Sequence, residues 1–354
     1  MDGLKGNNEE RNATKRKEKN MIRIAINGFG RIGRMVARAL IEKPTAGIEV
    51  VAINDLAPLE TNVHLLQWDS IHGPLRHAIK TGEDWIDFGY GKTQVLAQKD
   101  PTQLDWAAKG VDIVFECSGI FTKRDQAALH LQAGAKRVLV SAPSEGADFT
   151  VVYGVNHHQI TSNHHVISNA SCTTNCLAPM AHVLDGAFGI ERGYMTTIHA
   201  YTSDQSLQDK AHKDPCRARA ATLSMVPTTT GAAKAVGLVL PQLNGKLDGT
   251  AIRVPTANVS LVDFVFESKS QLTIKAINEA IEQAAQGPLA GILAVNRLPL
   301  VSVDFNHHPA SSIFDVGQTQ VVEGHMGRVL AWYDNEWGFS NRMIDTALHM
   351  ATKI

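Results

Sequence analysis

The sequence has little net charge and no long apolar run. Its 354 residues include 34 basic and 35 acidic side chains, which gives a formal net charge of −1. Such a balance creates no long-range field that would attract nucleic acid or an anionic membrane. No segment approaches the roughly 18 to 20 apolar residues of a membrane span, and the N-terminus lacks the apolar stretch of a secretory signal. We therefore expect a cytoplasmic protein that uses neither a membrane nor a specific nucleic-acid partner.

Cysteine is also scarce, with four residues in the whole chain. This number is too small for a disulfide framework, so each thiol is considered on its own. Cys117 ends an apolar run and is expected to pack, whereas Cys216 lies in a polar segment and is expected to be exposed. The histidines include the adjacent pairs 157–158, 164–165 and 307–308, and neighbours in a strand point in opposite directions. The pattern predicts no metal site.

The length predicts two domains, because single hydrophobic cores stop growing beyond roughly 250–300 residues. Residues 1–20 have almost no apolar side chain and are expected to form a disordered tail. From Ile22 onward, strands alternate with helices, and the helical stretch Lys123–Gly134 serves as a crossover, as in a doubly wound parallel α/β sheet. After Cys172, longer strand-like stretches predict an α+β domain on a mixed or antiparallel sheet. The expected divisions are 21–171, 172–334 and a C-terminal helical segment, 335–354.

A glycine-rich motif, Gly28-Phe29-Gly30-Arg31-Ile32-Gly33, follows the first predicted strand and opens a helix. This context is typical of a Rossmann dinucleotide site, where glycines admit a pyrophosphate to the helix N-terminus. Asp55 follows the next strand, where its carboxylate can bind both ribose hydroxyls and repel a 2′-phosphate. These features favour NAD over NADP. The alternative is that the glycines only form a tight turn.

Cys172 is the strongest candidate nucleophile, because it lies at the start of a predicted helix, Cys172–Phe188. Ser171 is the expected N-cap, and the helix dipole with its free N–H groups favours a thiolate and an oxyanion. Cys176, one turn further, is expected to pack in the interior. His199 ends a predicted strand and is a candidate base, although a histidine there also fits a purely structural role.

Four short runs, spread over nearly the whole chain from Met21, resemble the glyceraldehyde-3-phosphate dehydrogenase family. The glycine motif is one of them. The other three run from Ser168 to Cys176 (SNASCTTNC), from Thr228 to Lys234 (TTTGAAK) and from Trp332 to Trp337 (WYDNEW). The resemblance implies that Cys172 attacks the aldehyde of D-glyceraldehyde 3-phosphate, with His199 as base. It also implies that phosphate cleaves the resulting thioester to give 1,3-bisphosphoglycerate.

The resemblance further implies which residues bind each group. Thr202 and Arg253 would hold the substrate phosphate, and the attacking inorganic phosphate would be held by Ser171, Thr173, Thr230 and Gly231. On the cofactor side it implies a site formed by Gly28, Gly30, Arg31, Ile32, Gly33, Asp55, Lys99, Ser118, Ser141 and Asn335. Asn335 in this role requires that the C-terminal helix pack back on the first domain. The family pattern also implies a homotetramer, in which the loop after Thr202 contacts a neighbouring cofactor.

Some positions depart from the family pattern and leave alternatives open. Cys216 stands where an arginine pair usually begins, so a phosphate contact by Arg217 is an open question. Lys210-Ala211 replaces a Leu-Pro that helps to exclude NADP. One alternative function is a non-phosphorylating erythrose-4-phosphate dehydrogenase, which the segment from Pro299 to His307 resembles. Another is thiol redox sensing, since an accessible thiolate oxidises readily.

Overall fold

The computed structural model describes residues 21–43, 47–89 and 91–354, and the tail predicted at 1–20 lies outside them. Two large sheets organise these residues. The first has nine strands and the second has eight. Among the described residues, no helix combines the length and apolar character needed to cross a bilayer.

The first sheet is built around parallel strands, as the alternation of apolar runs and helices predicts. Strand β1 (Ile22–Asn27) lies between β2 (Ile48–Asn54) and β8 (Ile113–Glu116), and all three are parallel. The remaining parallel strands are β7 (Lys92–Leu96), β9 (Arg137–Val140), β10 (Phe149–Thr150) and β11 (Val166–Ser168). An antiparallel edge is formed by β5 (Lys80–Thr81) and β6 (Trp85–Asp87). The prediction of a doubly wound parallel sheet is confirmed.

Helices cover this sheet, and they differ from the prediction at one crossover. Helix α1 (Arg31–Glu42) begins at the glycine motif, and α2 (Leu59–Gln67) follows β2. A short separate pair is formed by β3 (Trp68–Asp69) and β4 (Gly73–Pro74). The predicted helical stretch Lys123–Gly134 is helical, but it is divided into two short helices, α3 (Arg124–Ala127) and α4 (Leu129–Gln132), that meet at Ala128.

The second sheet is mixed, which confirms the predicted α+β domain. Its central strand, β12 (Ile190–Ala200), is parallel to β14 (Leu247–Val254) and antiparallel to β15 (Ser260–Ser268). The other strands are β13 (Val226–Thr229), β16 (Leu293–Asn296), β17 (Ser312–Asp315), β18 (Gln320–Val322) and β19 (Met326–Tyr333). Strand β15 begins directly after Val259, whose φ of 66° lies outside the extended region.

Helices α5 (Cys172–Phe188), α6 (Ala232–Val239) and α7 (Ile274–Gln286) pack on the second sheet around one apolar core. The last helix, α8 (Trp337–Ala351), instead packs against α1 and shares the core of the first sheet. Met343, Ala347 and Met350 of this helix have no exposed surface. The chain segment just before α8 is therefore held between the two sheets.

Candidate active site

The glycine motif forms a turn whose three glycines serve different purposes. Gly28 has a φ of 90°, and a Cβ atom on it would lie 2.4 Å from the Cα atom of Ser118. A Cβ atom on Gly33 would lie 2.2 Å from the carbonyl oxygen of Gly28. Gly30 has no such neighbour within 4 Å and stands immediately before α1. The fold thus requires Gly28 and Gly33, while Gly30 leaves open space at the helix N-terminus, where a pyrophosphate would fit.

Asp55 closes this turn from the end of β2. Its carboxylate accepts hydrogen bonds from the backbone N–H of Phe29 at 2.7 Å and of Ala57 at 2.9 Å. A cavity of about 520 Å³ opens beside it and is bordered by five of the predicted cofactor residues: Gly28, Gly30, Asp55, Lys99 and Ser118. The structure therefore brings these residues together around one space.

Glu116 is a residue of this region that the sequence analysis missed. Its carboxylate is 1% exposed and accepts hydrogen bonds from Asn27 at 2.6 Å, His130 at 2.8 Å and the backbone N–H of Ser118 at 2.8 Å. Trp106 in turn donates to the other ring nitrogen of His130 at 3.1 Å. Asn27 and Ser118 border the cofactor cavity, so Glu116 fixes two of its walls from beneath. An apolar run that ends in an acidic residue was the only sequence signal for it.

Cys172 is the first residue of α5, as predicted. The hydroxyl of Ser171 caps this helix by accepting a hydrogen bond from the backbone N–H of Thr174 at 3.0 Å. A second cavity, of about 450 Å³, is bordered by Cys172 and by eight other predicted site residues: Arg31, Ile32, Ser141, Ser171, His199, Thr202, Arg253 and Asn335. The structure thus gathers the nucleophile, the base and part of the predicted cofactor site at one place.

His199 is oriented as a base toward Cys172. Its Nε2 atom lies 3.5 Å from Sγ of Cys172, and its Nδ1 atom lies 2.7 Å from the carbonyl oxygen of Ala200. Arg253 also approaches Nδ1, at 3.2 Å, but it has two better-suited acceptors in the oxygen of Ala200 and the hydroxyl of Thr202. We therefore assign the imidazole proton to Nδ1, where it is donated to Ala200. This tautomer leaves the Nε2 lone pair facing the sulfur.

Burial dominates the acid–base properties of the pair. It raises the pKa of the Cys172 thiol above its ordinary value, an effect that the positive charge of Arg253 and hydrogen bonding by Thr173 oppose. Burial and the charge of Arg253 together lower the pKa of His199 to about 3. The helix N-terminus alone therefore does not make Cys172 a thiolate. A proton that moves from Sγ to Nε2 leaves the net charge of the site unchanged, so burial opposes it less than it opposes proton loss to solvent.

Arg253 and Thr202 form the polar side of this cavity. A guanidinium nitrogen of Arg253 donates to the hydroxyl of Thr202 at 3.3 Å, and the Nε atom of Arg253 is buried without a hydrogen-bond partner. A buried guanidinium N–H without a partner is unfavourable unless an acceptor approaches it. Oxygen atoms of a phosphate are suitable acceptors for this group. Arg217, in contrast, is bound to Thr228 at 2.9 Å and to Asp204 at 2.8 Å, which occupies its guanidinium.

Four predicted residues border neither cavity: Gly33, Thr173, Thr230 and Gly231. The hydroxyl of Thr173 is buried and lies 2.8 Å from the hydroxyl of Tyr333. The hydroxyl of Thr230 accepts a hydrogen bond at 3.2 Å from the backbone N–H of Ala232, the first residue of α6. The start of α6 nevertheless contacts the start of α5, since Thr174 Oγ1 lies 3.5 Å from the carbonyl oxygen of Ala232. Two helix N-termini thus meet beside Cys172.

The side chain of Arg31 is bound to protein carboxylates. It forms ion pairs with Asp69 and Glu336, which the sequence analysis did not identify as site residues. Hydrogen bonds and charge from these carboxylates raise the pKa of Arg31, although burial acts in the opposite direction. The backbone N–H of Arg31, at the start of α1, is therefore the group that remains available for the predicted pyrophosphate contact.

The other cysteines agree with their predicted environments. Cys176 has no exposed surface, and burial raises the pKa of its thiol. Burial also raises the pKa of Cys117 to about 12, and Cys216 is exposed. No group of histidine, cysteine and carboxylate side chains in the described part of the chain could hold a metal ion.

Comparison with known proteins identifies relatives of both halves of the chain. The family model for the NAD binding domain of glyceraldehyde 3-phosphate dehydrogenase matches residues 22–124, and the model for the C-terminal domain matches residues 171–335. The glyceraldehyde-3-phosphate dehydrogenase of Cereibacter sphaeroides is 61% identical over 329 residues, which cover 93% of this chain and 98% of that protein. The enzyme of that name from Xanthobacter flavus is 62% identical over 329 residues, with the same coverage. The one from Geobacillus stearothermophilus is 53% identical over 333 residues, 94% of this chain and 99% of its own length.

Cys172 and His199 lie within the matched C-terminal domain, and the glycine motif and Asp55 lie within the matched NAD binding domain. The matched regions thus contain the paired sulfur and imidazole as well as the dinucleotide turn of this chain. With both halves matched, and with relatives this similar along almost their whole length, the chain belongs to the glyceraldehyde-3-phosphate dehydrogenase family.

Proposed function

We propose that the protein catalyses the NAD-dependent phosphorylating oxidation of D-glyceraldehyde 3-phosphate to 1,3-bisphosphoglycerate. The observation that carries this proposal is the 3.5 Å contact between Sγ of Cys172 and Nε2 of His199, in a cavity that also contains Thr202 and Arg253. The names of the relatives support the choice of substrate. The reaction belongs to glycolysis and gluconeogenesis.

Cys172 and His199 begin the reaction by moving one proton. As Sγ attacks the aldehyde carbon, its proton passes to Nε2 of His199, whose Nδ1–H stays bound to the carbonyl oxygen of Ala200. The new carbon–sulfur bond gives a hemithioacetal. The carbonyl oxygen gains negative charge in this step, and free N–H groups at the start of α5 are placed to stabilise it.

The residues around the glycine motif fit NAD. Gly30 leaves space for the pyrophosphate, Asp55 offers a carboxylate for the ribose, and Ser141 and Asn335 border the catalytic cavity, where the nicotinamide would lie. When bound, NAD supplies the acceptor for the hydride that leaves the hemithioacetal carbon. Oxidation converts the hemithioacetal into a thioester on Cys172, and His199 then holds the proton that Cys172 released.

Two phosphate groups need separate binding sites. We assign the substrate phosphate to Thr202 and Arg253, because the unpaired Nε–H of Arg253 is available to a phosphate oxygen. The attacking phosphate is assigned to the meeting helix N-termini, to which Ser171, Thr173, Thr230 and Gly231 belong. Helix N-termini bind phosphate through backbone N–H groups, and Thr173 would contribute its N–H because its hydroxyl is bound to Tyr333.

The proposal extends to the organisation of the protein. We take 21–171 as the NAD-binding domain, 172–334 as the catalytic domain and 335–354 as the segment that returns to the first domain. A homotetramer in the cytoplasm is the expected form, in which the loop after Thr202 would reach a neighbouring subunit. This loop exposes the large apolar side chains of Leu207 and Leu223, which are 73% and 83% accessible in the single chain. Such side chains are typical of surfaces that contact a partner.

The test is NADH formation from D-glyceraldehyde 3-phosphate with and without inorganic phosphate or arsenate. A strict requirement for one of these oxyanions is expected, because the thioester needs an oxyanion nucleophile. Equal rates without either would contradict the proposal and favour the non-phosphorylating erythrose-4-phosphate dehydrogenase, which the same assay with D-erythrose 4-phosphate would identify. Cys172→Ser should abolish turnover, and substantial remaining activity would leave only a redox-sensing role for this thiol.

A further inference from the structure

A chain of charged side chains connects the catalytic cavity to a third cavity. The third cavity is polar, has a volume of about 450 Å³ and is bordered by Arg38, Glu42, His72, Arg76, His77 and His307, among others. Arg31 and Glu336 border the catalytic cavity instead. His72 and His307 lie between the two cavities, and the mechanism above uses neither of them.

His72 and His307 face each other through their Nδ1 atoms, which are 3.0 Å apart. Their Nε2 atoms point in opposite directions, each to a carboxylate. His72 reaches Glu336 at 3.1 Å, and His307 reaches Glu42 at 2.7 Å. An ionised carboxylate can only accept a hydrogen bond, so both Nε2 atoms carry a proton. Hydrogen bonding to the histidines contributes to the lowering of the pKa of both carboxyl groups, against the effect of burial.

The Nδ1 atoms must share one further proton. Two unprotonated nitrogens would direct their lone pairs at each other across 3.0 Å, and two protonated nitrogens would do the same with their N–H groups. Only one arrangement gives a hydrogen bond, in which one Nδ1 donates to the other. In this arrangement the pair holds three protons on four ring nitrogens and carries one positive charge.

The histidine pair is packed among charged and aromatic side chains that can accommodate a single positive charge. The side chain of His72 has no exposed surface, and the ring of His307 stacks on Trp337 with centroids 3.6 Å apart. The charged groups around the pair are the carboxylates of Glu42 and Glu336, the guanidinium groups that bind them (Arg38 and Arg31), Asp69 on Arg31, and Arg76 and His77 at the cavity wall. Asp334 accepts the backbone N–H of His307 at 2.7 Å.

His307 adopts a left-handed backbone conformation, with a φ of 66°. Histidine, asparagine and aspartate are the non-glycine residues that adopt this conformation most readily. The contact with Asp334 holds this conformation, and the conformation places the ring against His72.

We infer that His72 and His307 are positioning residues for cofactor binding, which act through a shared proton that holds Glu336 against Arg31. His72 belongs to the first domain and His307 to the second, while Glu336 precedes α8 and Arg31 begins α1 beside the glycine motif. Loss of the shared proton at high pH, or gain of a second one at low pH, breaks the contact across the domains. The walls of the cofactor site are then held less firmly. This inference rests on the proposed function only in its use of NAD.

The test compares wild type with His307→Asn over about pH 5.5 to pH 9. Asparagine tolerates the left-handed conformation and can donate to Nδ1 of His72, but it does not titrate. The Kd for NAD from calorimetry, and the KM for NAD, should pass through a minimum in wild type and rise roughly three- to tenfold toward alkaline pH. Both should be nearly independent of pH in the variant, and kcat should change little in either protein.

His64→Asn is the matched control, since His64 is an exposed histidine on α2 outside this chain of contacts. It should reproduce the wild-type profile. Kd profiles of wild type and His307→Asn that superimpose would overturn the inference. If His307→Asn does not fold, His72→Gln supplies the second comparison under the same criterion. The binding measurement needs no turnover, so its failure is distinct from an absent requirement for phosphate, which would reject the proposed function instead.

Discussion

The Sγ atom of Cys172 and the Nε2 atom of His199 are 3.5 Å apart, although Cys172 begins a helix and His199 lies near the end of a central strand. Neither residue is activated by its position alone, because burial raises the pKa of the thiol and lowers that of the imidazole. Proton transfer between them creates two opposite charges in contact. The pair therefore has properties that neither residue has by itself.

Replacement of His199 by asparagine should make the Cys172 thiol a weaker acid. Without the imidazole as proton acceptor, the thiol must lose its proton to solvent against the full penalty of burial, so the pH of half-maximal thiolate formation should rise. The rate of alkylation by iodoacetamide as a function of pH measures this value. Turnover should fall roughly 10²- to 10⁴-fold through loss of the base. Identical alkylation profiles for variant and wild type would show that His199 does not act on the sulfur.

Replacement of Gly30 by alanine should weaken NAD binding, whereas replacement of Gly33 by alanine should lower stability. A methyl group on Gly30 meets no atom within 4 Å and requires no unusual φ, so folding should be unaffected. The methyl group enters the space left for the pyrophosphate, and the KM for NAD should increase about tenfold, which is about 1.4 kcal/mol. Gly33→Ala should instead lower the free energy of unfolding by about 1–3 kcal/mol, since its Cβ would lie 2.2 Å from a carbonyl oxygen.

Thermal unfolding and NAD titration of both variants separate the two effects. An unchanged KM in Gly30→Ala would mean that the cofactor does not approach the turn at this point. An unchanged melting temperature in Gly33→Ala would contradict the packing argument for Gly33.

The features of the site that could be predicted are those formed by residues close together in the sequence. The glycine turn, Asp55 at the end of β2 and the cap of Ser171 on α5 each depend on residues close together in the chain. Periodicity of apolar residues gave the two kinds of sheet for the same reason. His199 had no such local signal, because its environment is made by Cys172, 27 residues away, and by Arg253, 54 residues away.

The residues that were missed have partners far away in sequence. Glu336 binds Arg31 across 305 positions, and Glu116 binds Asn27 across 89 positions. An acidic residue beside an apolar run is usually solvent-exposed, so nothing local distinguishes a buried carboxylate from an exposed one. The hydroxyl of Thr173 lies against Tyr333, 160 positions away, a contact that the sequence did not indicate. Only the packing of the second sheet against α5 determines that contact.

Replacement of Glu116 by glutamine tests whether its carboxylate supports the walls of the cofactor cavity. In Glu116→Gln, one oxygen is replaced by an NH₂ group that must face a donor, either on Ser118 or on Asn27 and His130. A buried donor left without an acceptor costs about 1–3 kcal/mol, so the variant should unfold at a lower temperature. Its KM for NAD should also rise, because Asn27 and Ser118 border the cavity.

Trp106→Phe is the matched comparison for Glu116→Gln. It removes a single hydrogen bond to the far side of His130 and preserves most of the buried aromatic volume. The expected loss of stability is about 1 kcal/mol, with an unchanged KM for NAD, because the carboxylate and its contacts to the cavity walls remain. If Trp106→Phe raises the KM as much as Glu116→Gln does, general loosening of the domain explains both effects. A raised KM in Glu116→Gln alone would mean that the carboxylate orients Asn27 and Ser118 toward the cofactor.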